Sequence, residues 1–323
     1  MNKKIYQFKR LIRDISRGLM YNECIELSPR LGKYYIIIQE NKLKKLQKLI
    51  CDFDNNGIPI NKPYIDVPNK KNIYYPITIG MAGLAVFNTY LISKLEKDKQ
   101  RFLKFCDWFY HNALIDELGV RWMTDVALPQ YHNTKPWQSA FAQSRGISVL
   151  LRGYQLTNKI EYAEMAKKAL MPFEIAVSSG GVTSFTEWGP FYEEYTASIP
   201  TLVLNGMMFS LFGLCDYCRV FSDTSAQQLY ENGLDTLENI LPQFDLGYWS
   251  RLNLCRADWY PRIDPATLSY QKLHILQLHI LYKLTQRPVF KKFADRFNAQ
   301  IRLNNICKSY FLKYKALKKL NRI

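Results

Sequence analysis

Residues 200–240, PTLVLNGMMFSLFGLCDYCRVFSDTSAQQLYENGLDTLENI, read as two helices over about 200–217 and 224–240 with a short polar break between them. The same pairing recurs on either side, with helices expected over roughly 81–95 and 99–114, 138–157 and 160–172, and 270–284 and 288–301. Helical hairpins that each bury one face against the next stack into an α/α barrel, or toroid. No letter-level repeat accompanies the pattern, so periodicity alone carries it. Only residues 33–78 have β-like character. The expected fold class is mainly α: an α/α barrel of helical hairpins with a small N-terminal β-containing or irregular segment. The expected divisions are a basic N-terminal segment over 1–78, the barrel as catalytic domain over 79–302 and a basic C-terminal helix over 303–323.

With 323 residues, 48% of them apolar and 22% charged, the chain can bury roughly three quarters of its unfolded surface, which excludes global disorder. No apolar stretch is expected to reach the roughly 18 to 20 uncharged residues of a membrane span. The first twenty residues alternate charge with apolar groups, unlike a signal-peptide core. A cytoplasmic location follows as the expectation. Seven cysteines, an odd and scattered set, suit reduced thiols. The pair Cys215 and Cys218 lacks the second pair that would complete a zinc site. His274 and His279 stand five residues apart, about 140° around a helix, unlike a metal-sharing pair. No metal or cofactor is expected.

The net charge of +16 sits at the ends: residues 1–20 carry six Lys or Arg and one Asp, and residues 301–323 carry seven and no acid. In the last segment Tyr310, Tyr314, Leu317 and Leu320 follow helical spacing while Lys308, Lys315 and Lys319 lie off that stripe, giving a basic amphipathic helix. Its first reading is a helix docked on its own domain with a solvated lysine face. An acidic partner is the second, whether anionic lipid at the inner face of a membrane, nucleic acid or an acidic polysaccharide. Nucleic acid has only charge in its favour, without a recognisable module, and is not the expected partner.

Irregular connections at one end of a helical toroid form its ligand cleft. The connections 120–138, 180–199 and 244–270 hold five of the six tryptophans in a chain with 22 tyrosines. Aromatic faces stack on pyranose rings, and tyrosine hydroxyls and arginines bind sugar hydroxyls and carboxylates.

Within these connections the run FYEEYTASIPTLVLNGMMFSLFGLCDY, the later LPQFDLGYWSR and LSYQKLHILQLHIL, and the upstream KPWQSAFAQSRGISVLLRGYQLT resemble the catalytic C-terminal domain of the D-glucuronyl C5-epimerases, which convert glucuronate to iduronate within glycosaminoglycan chains. NGIPINKPYIDVPNKKNIYYPITIGMAGLAVFNTYL is similar to the segment by which that family enters its barrel. The resemblance covers about 55–90 and 135–300. The intervening β-sandwich of the animal enzymes has no counterpart, and residues 96–134 are expected to be helical instead.

C5 epimerisation removes a proton α to a carboxylate and returns it on the opposite face, so it needs two acid/base groups and a donor for the enolate-like carboxylate. Tyrosine suits it because nearby cations lower its pKa of about 10. The resemblance implies that Glu194, Tyr195 and Tyr270 are catalytic, that Tyr74 or Tyr75 faces substrate, and that His274 belongs to the same late motif. A second catalytic tyrosine of the family falls on Leu252, which cannot exchange a proton, and an aspartate common there falls on Asn253. Tyr248 and Tyr260 are the candidates to replace it, Tyr248 as the catalytic choice. The family's aspartate before the late tyrosine is Ser269. Arg145 and Arg251 are the choices for a carboxylate clamp, and Trp137, Gln143 and Asn205 are further substrate-contact candidates in the matching runs. The resemblance also implies a homodimer.

The leading expectation is thus an epimerase acting on a uronic-acid-containing polysaccharide such as heparosan. A lyase on the same scaffold would use one tyrosine to remove the C5 proton and expel the C4 substituent. A hydrolase would need two carboxylates roughly 5 to 9.5 Å apart, with Glu194 and either Asp245 or Asp258 as the pair. A polysaccharide-binding relative without turnover is the non-catalytic alternative.

Overall fold

Burial sorts the helices into an inner and an outer set. The computed structural model describes residues 21–41, 51–62 and 71–323, together with Ile5, Lys9, Ile12 and Leu43. Most of the basic N-terminal arm over 1–20 therefore lies outside the described residues, as does part of the segment up to 78. In chain order the helices are α1 (Pro76–Ser93), α2 (Glu96–His111), α3 (Ala140–Thr157), α4 (Ile160–Lys168), the short α5 (Met171–Glu174), α6 (Leu204–Val220), α7 (Thr224–Ile240), α8 (Leu268–Thr285), α9 (Pro288–Ala299) and α10 (Leu303–Lys319). Helix α6 is buried continuously from Leu204 to Tyr217, with Asn205, Ser210 and Asp216 included, so it is enclosed on every side. Its partner α7 buries only one stripe, Ala226, Tyr230, Gly233, Leu234, Leu237 and Ile240. Asp223 starts α7 by accepting from the backbone N–H groups of Ser225 and Ala226.

Helices α1, α3, α6 and α8 pack one against the next, each backed by its own partner, α2, α4, α7 and α9. Among the described residues four hairpins thus make the mainly-α toroid expected from periodicity, with boundaries close to those read from sequence. The inner helices all run the same way. At their starts, the Tyr75 ring that precedes α1 meets Trp137, Ala140 N donates to Glu193 O, and Leu204 N donates to Leu252 O. At their far ends Thr89, Gln155, Arg219 and Lys283 bond to Glu40, Leu31, Ser28 and Glu23 of the N-terminal segment. That segment plugs the toroid with Tyr34 and Tyr35, both against Phe212.

Small antiparallel sheets decorate the helices: β1 (Tyr21–Glu23) with β2 (Ile36–Ile38), β3 (Cys51–Phe53) with β4 (Pro59–Asn61) and β5 (Ile73–Tyr74), β6 (Leu114–Asp116) with β7 (Gly119–Arg121), and β8 (Thr183–Thr186) with β9 (Gly189–Tyr192). Two expectations fall here. Strands are not confined to 33–78, and only 96–111 of the stretch 96–134 is α-helical; the β6–β7 hairpin and irregular chain follow, because Gly119 turns at a φ of +99. A third concerns the membrane. Helix α1 carries no charged residue and is long and apolar enough to cross one, yet 61% of it is buried as an inner helix.

Arg152 and Asp216 form an ion pair of 2.6 Å in the core with both side chains at 0% exposure. Arg152→Met would leave that carboxylate with Arg219, at 3.5 Å, as its remaining partner. A loss of about 3–5 kcal/mol is expected, read as a lower urea midpoint with unchanged slope.

Candidate active site

The β8–β9 hairpin delivers Glu193, Glu194 and Tyr195 to the starts of the inner helices. Register is fixed by Thr183 opposite Tyr192 and, just beyond, by Glu193 N donating to Val182 O and Thr196 N to Gln138 O. Glu193 is buried and its carboxylate accepts from Ser184 Oγ at 2.7 Å, Thr201 Oγ1 at 2.6 Å, Thr201 N at 3.1 Å and Leu202 N at 2.9 Å. Leu202 holds a left-handed φ of +49 to present that N–H, a strained conformation that surrounding packing must enforce. Glu193 therefore ties the loop before α6 to the hairpin, a role the sequence reading missed.

Glu194 faces the first turn of α6. Asn205 Nδ2 donates to its Oε2 at 3.0 Å, and the Tyr195 side chain is hydrogen-bonded to the same carboxyl. Burial pushes this carboxyl up to about 7 against those two bonds, with Glu193 adding to the rise. Gly206 makes the approach possible: a Cβ there would lie 2.4 Å from Glu194 Cβ and 2.6 Å from its Oε2. Gly206→Ala is expected to destabilise by about 1–3 kcal/mol despite alanine's better helix propensity, measured as a fall in Tm. The opposite sign would mean that Glu194 moves aside at no cost.

Around this carboxyl stands an aromatic group. Tyr195 meets Trp137 at 5.2 Å and Tyr131 at 5.6 Å, Tyr75 meets Trp137 at 6.0 Å, and Tyr131 stacks on Tyr260 at 5.6 Å and 9°. Tyr75 is the inward one of its pair. Tyr74 points out, 40% exposed, against Trp108 with its hydroxyl on Asp54. Trp137 is buried and donates Nε1 to Val126 O, so it backs the group.

The second half of the site lies across residues 250–254. Leu252 N donates to Asp264 O and Leu252 O accepts from Leu204 N, which seats Leu252 between the start of α6 and the Asp264 loop. Tyr248 and Tyr270 belong together in a smaller cluster around the buried Trp249. Burial raises the Tyr248 phenol, opposed by Arg251, and Lys308 Nζ lies 3.8 Å from the centre of its ring. Arg251 donates Nη1 to Arg262 O at 2.7 Å, and burial lowers its pKa. His274 is fully buried, 2.9 Å from Ser250 Oγ through Nδ1, and desolvation holds it down at about 3, so its imidazole is neutral. One turn on, Gln277 Nε2 donates to Asn205 O and joins the two halves.

Two candidates stand elsewhere, and a third, Tyr260, is bonded within the aromatic group. Gln143 is fully buried, its amide bound to Trp122 N, Val120 O and Ala169 O, so it braces β7 instead of facing substrate. Arg145 is buried with its guanidinium over Tyr34, Phe141 and Phe209, within the core. Tyr260 cannot stand in for the tyrosine missing at Leu252: its hydroxyl donates to Asp264 Oδ2 at 2.8 Å and accepts from Asn253 Nδ2 at 2.6 Å, and burial holds its pKa well above 10. Tyr131 and Asp264, which no motif singled out, belong to the group. Among the described residues no three or more His, Cys, Asp or Glu side chains gather as a metal site would require.

A helical toroid whose inner-helix starts carry a buried glutamate among tyrosines is an α/α-toroid protein with a loop-built carboxyl and phenol site. The profile of the family described as D-glucuronyl C5-epimerase C-terminus matches residues 116–299, and the chain belongs to that family. A D-glucuronyl C5-epimerase of Caenorhabditis elegans is 28% identical over 235 residues, 68% of this chain and 38% of that protein. An uncharacterized protein of Methanocaldococcus jannaschii, MJ1128, is 26% identical over 216 residues, 64% of this chain and 63% of its own. The chain thus spans less than two thirds of each. Among solved structures, one described as a UGL variant with dGlcA-Glc-Rha-Glc aligns at a TM-score of 0.47 and 13% identity, covering 81% of this chain and 63% of that one, a likeness too slight to bear on function. The family match begins at 116, so residues 55–90, which resemble the family's entry segment, lie outside it.

Proposed function

We propose that this chain removes and returns the C5 proton of a uronate residue in an acidic polysaccharide, converting glucuronate to iduronate in a heparosan-like chain. The observation that carries this reading is Glu194: a buried carboxyl raised to about 7, bonded to a tyrosine side chain, poised to take a proton near neutral pH. Tyr195 and Glu194 act together on one side of the sugar, with Tyr270 and its neighbour Tyr248 as the second acid/base group. Arg251 binds the uronate carboxylate and offsets the charge that builds as C5 loses its proton. Asn205 and His274 orient Glu194 and Ser250, and Tyr75 completes the aromatic wall. The polysaccharide is the partner, and a homodimer is part of the same proposal, tested by light scattering. The test of function is the product formed from heparosan. Iduronate in a chain of unchanged length supports the reading, and glucuronate alone counts against it.

Leu252 favours a second reading. With leucine where the family has a tyrosine, one proton-exchanging group suffices for a lyase, which gives an unsaturated uronate absorbing in the ultraviolet. A hydrolase has less support: Asp245 is bonded to Gly247 N, Gln300 Nε2 and Arg296, and Asp258 is exposed.

A further inference from the structure

Helix α10 was expected to turn its lysines to solvent, with Tyr310, Tyr314, Leu317 and Leu320 inward. Tyr314 is instead 48% exposed, and Ser309, Lys313, Ala316 and Leu317 form the buried face. Lys313 Nζ lies 2.6 Å from Asp264 Oδ1, with side chains 10% and 4% exposed. The other oxygen, Oδ2, accepts the Tyr260 hydroxyl at 2.8 Å. Tyr260 stacks on Tyr131, and Tyr131 meets Tyr195, whose side chain bonds Glu194. Beside this line Lys319 Nζ donates to Tyr260 O at 2.8 Å, and Leu320 packs on the same aromatic group.

An ammonium and a carboxylate are costly to bury, and they are tolerated where each leaves no bonding capacity unused. Here the ammonium offsets the charge on Asp264 and leaves Oδ2 to fix the direction of the Tyr260 hydroxyl, hence the plane of the ring that Tyr131 stacks on. We propose that Lys313 is a positioning residue: through Asp264 and Tyr260 it sets the Tyr131 and Tyr195 rings beside Glu194, so the C-terminal helix is part of the site that acts on the uronate. This rests on the uronate reading above.

The test compares the whole chain with Lys313→Ala, Lys313→Arg and the double variant Lys313→Met with Asp264→Asn, using heparosan C5 deuterium exchange and near-ultraviolet circular dichroism. Lys313→Ala is expected to lower kcat about tenfold or more with KM within about twofold, as misplacement of a reacting group does. Its near-ultraviolet signal falls while the far-ultraviolet signal holds, and Lys313→Arg recovers most of kcat. If Lys313→Ala does not fold, the double variant, which leaves no unpaired charge, decides: low kcat in a folded protein supports the proposal. Wild-type kcat in Lys313→Ala or in the double variant overturns it. If the unmodified chain exchanges nothing, the uronate reading fails by itself. An unchanged near-ultraviolet signal in the folded variants would then overturn the link from Lys313 to the aromatic rings.

Discussion

Glu194→Gln is expected to lower the rate of C5 exchange by about 10²–10⁴ while leaving the fold intact. Glutamine keeps an oxygen for Asn205 Nδ2, which donates at 3.0 Å, so the local bonding survives and the proton acceptor is lost. The unmodified protein should show the same group in its pH profile. With its carboxyl raised to about 7 by burial, the ionised form that accepts a proton is lost as pH falls through that value. The exchange rate should drop about tenfold per unit below it. Stability runs the opposite way. A carboxyl whose folded pKa lies above its unfolded one favours folding below the unfolded value and loses that contribution as pH rises toward 7. A rate flat from pH 5 to 8 would remove Glu194 from the chemistry.

Tyr270→Phe is expected to separate the two steps. If Tyr270 serves the side of the sugar opposite Glu194, the variant loses inversion by about 10²–10⁴, yet deuterium still enters at C5 with retention because Glu194 and Tyr195 are intact. NMR reads both quantities in one experiment. Loss of neither would leave Tyr248, which shares the cluster around Trp249, as the group to replace.

Much of the fold was legible because its helices are long and the outer ones bury a periodic stripe. The break at 221–223 separates a helix buried continuously from Leu204 to Tyr217 from one buried on a single stripe, and both are long enough to stand out in the sequence. The short hairpins were not legible. Leu114–Asp116 is apolar in part yet exposed at all three residues, and strands of three or four residues carry too few alternations to stand out from a helix end. In the candidate site, the resemblance singled out Glu194 and Tyr195, whose side chains the structure brings together. It could not say which of Tyr74 and Tyr75 faces inward, since neighbours in extended backbone take opposite sides and only the packing of Trp137 against Tyr75 and Trp108 against Tyr74 decides it. Gln143 is bonded to groups 21 to 26 residues away, Arg145 lies over the rings of Tyr34, Phe141 and Phe209, and Tyr260 is bonded to Asn253 and Asp264, placements that only the fold reveals. Lys313 was hidden by its surroundings, one buried cation in a run of exposed ones.

The most direct test of the central claim is incubation of the unmodified chain with heparosan in deuterated water, following C5 by NMR. The account predicts deuterium at C5 and the appearance of iduronate, with chain length unchanged. Bound heparosan with no deuterium at C5 would contradict it.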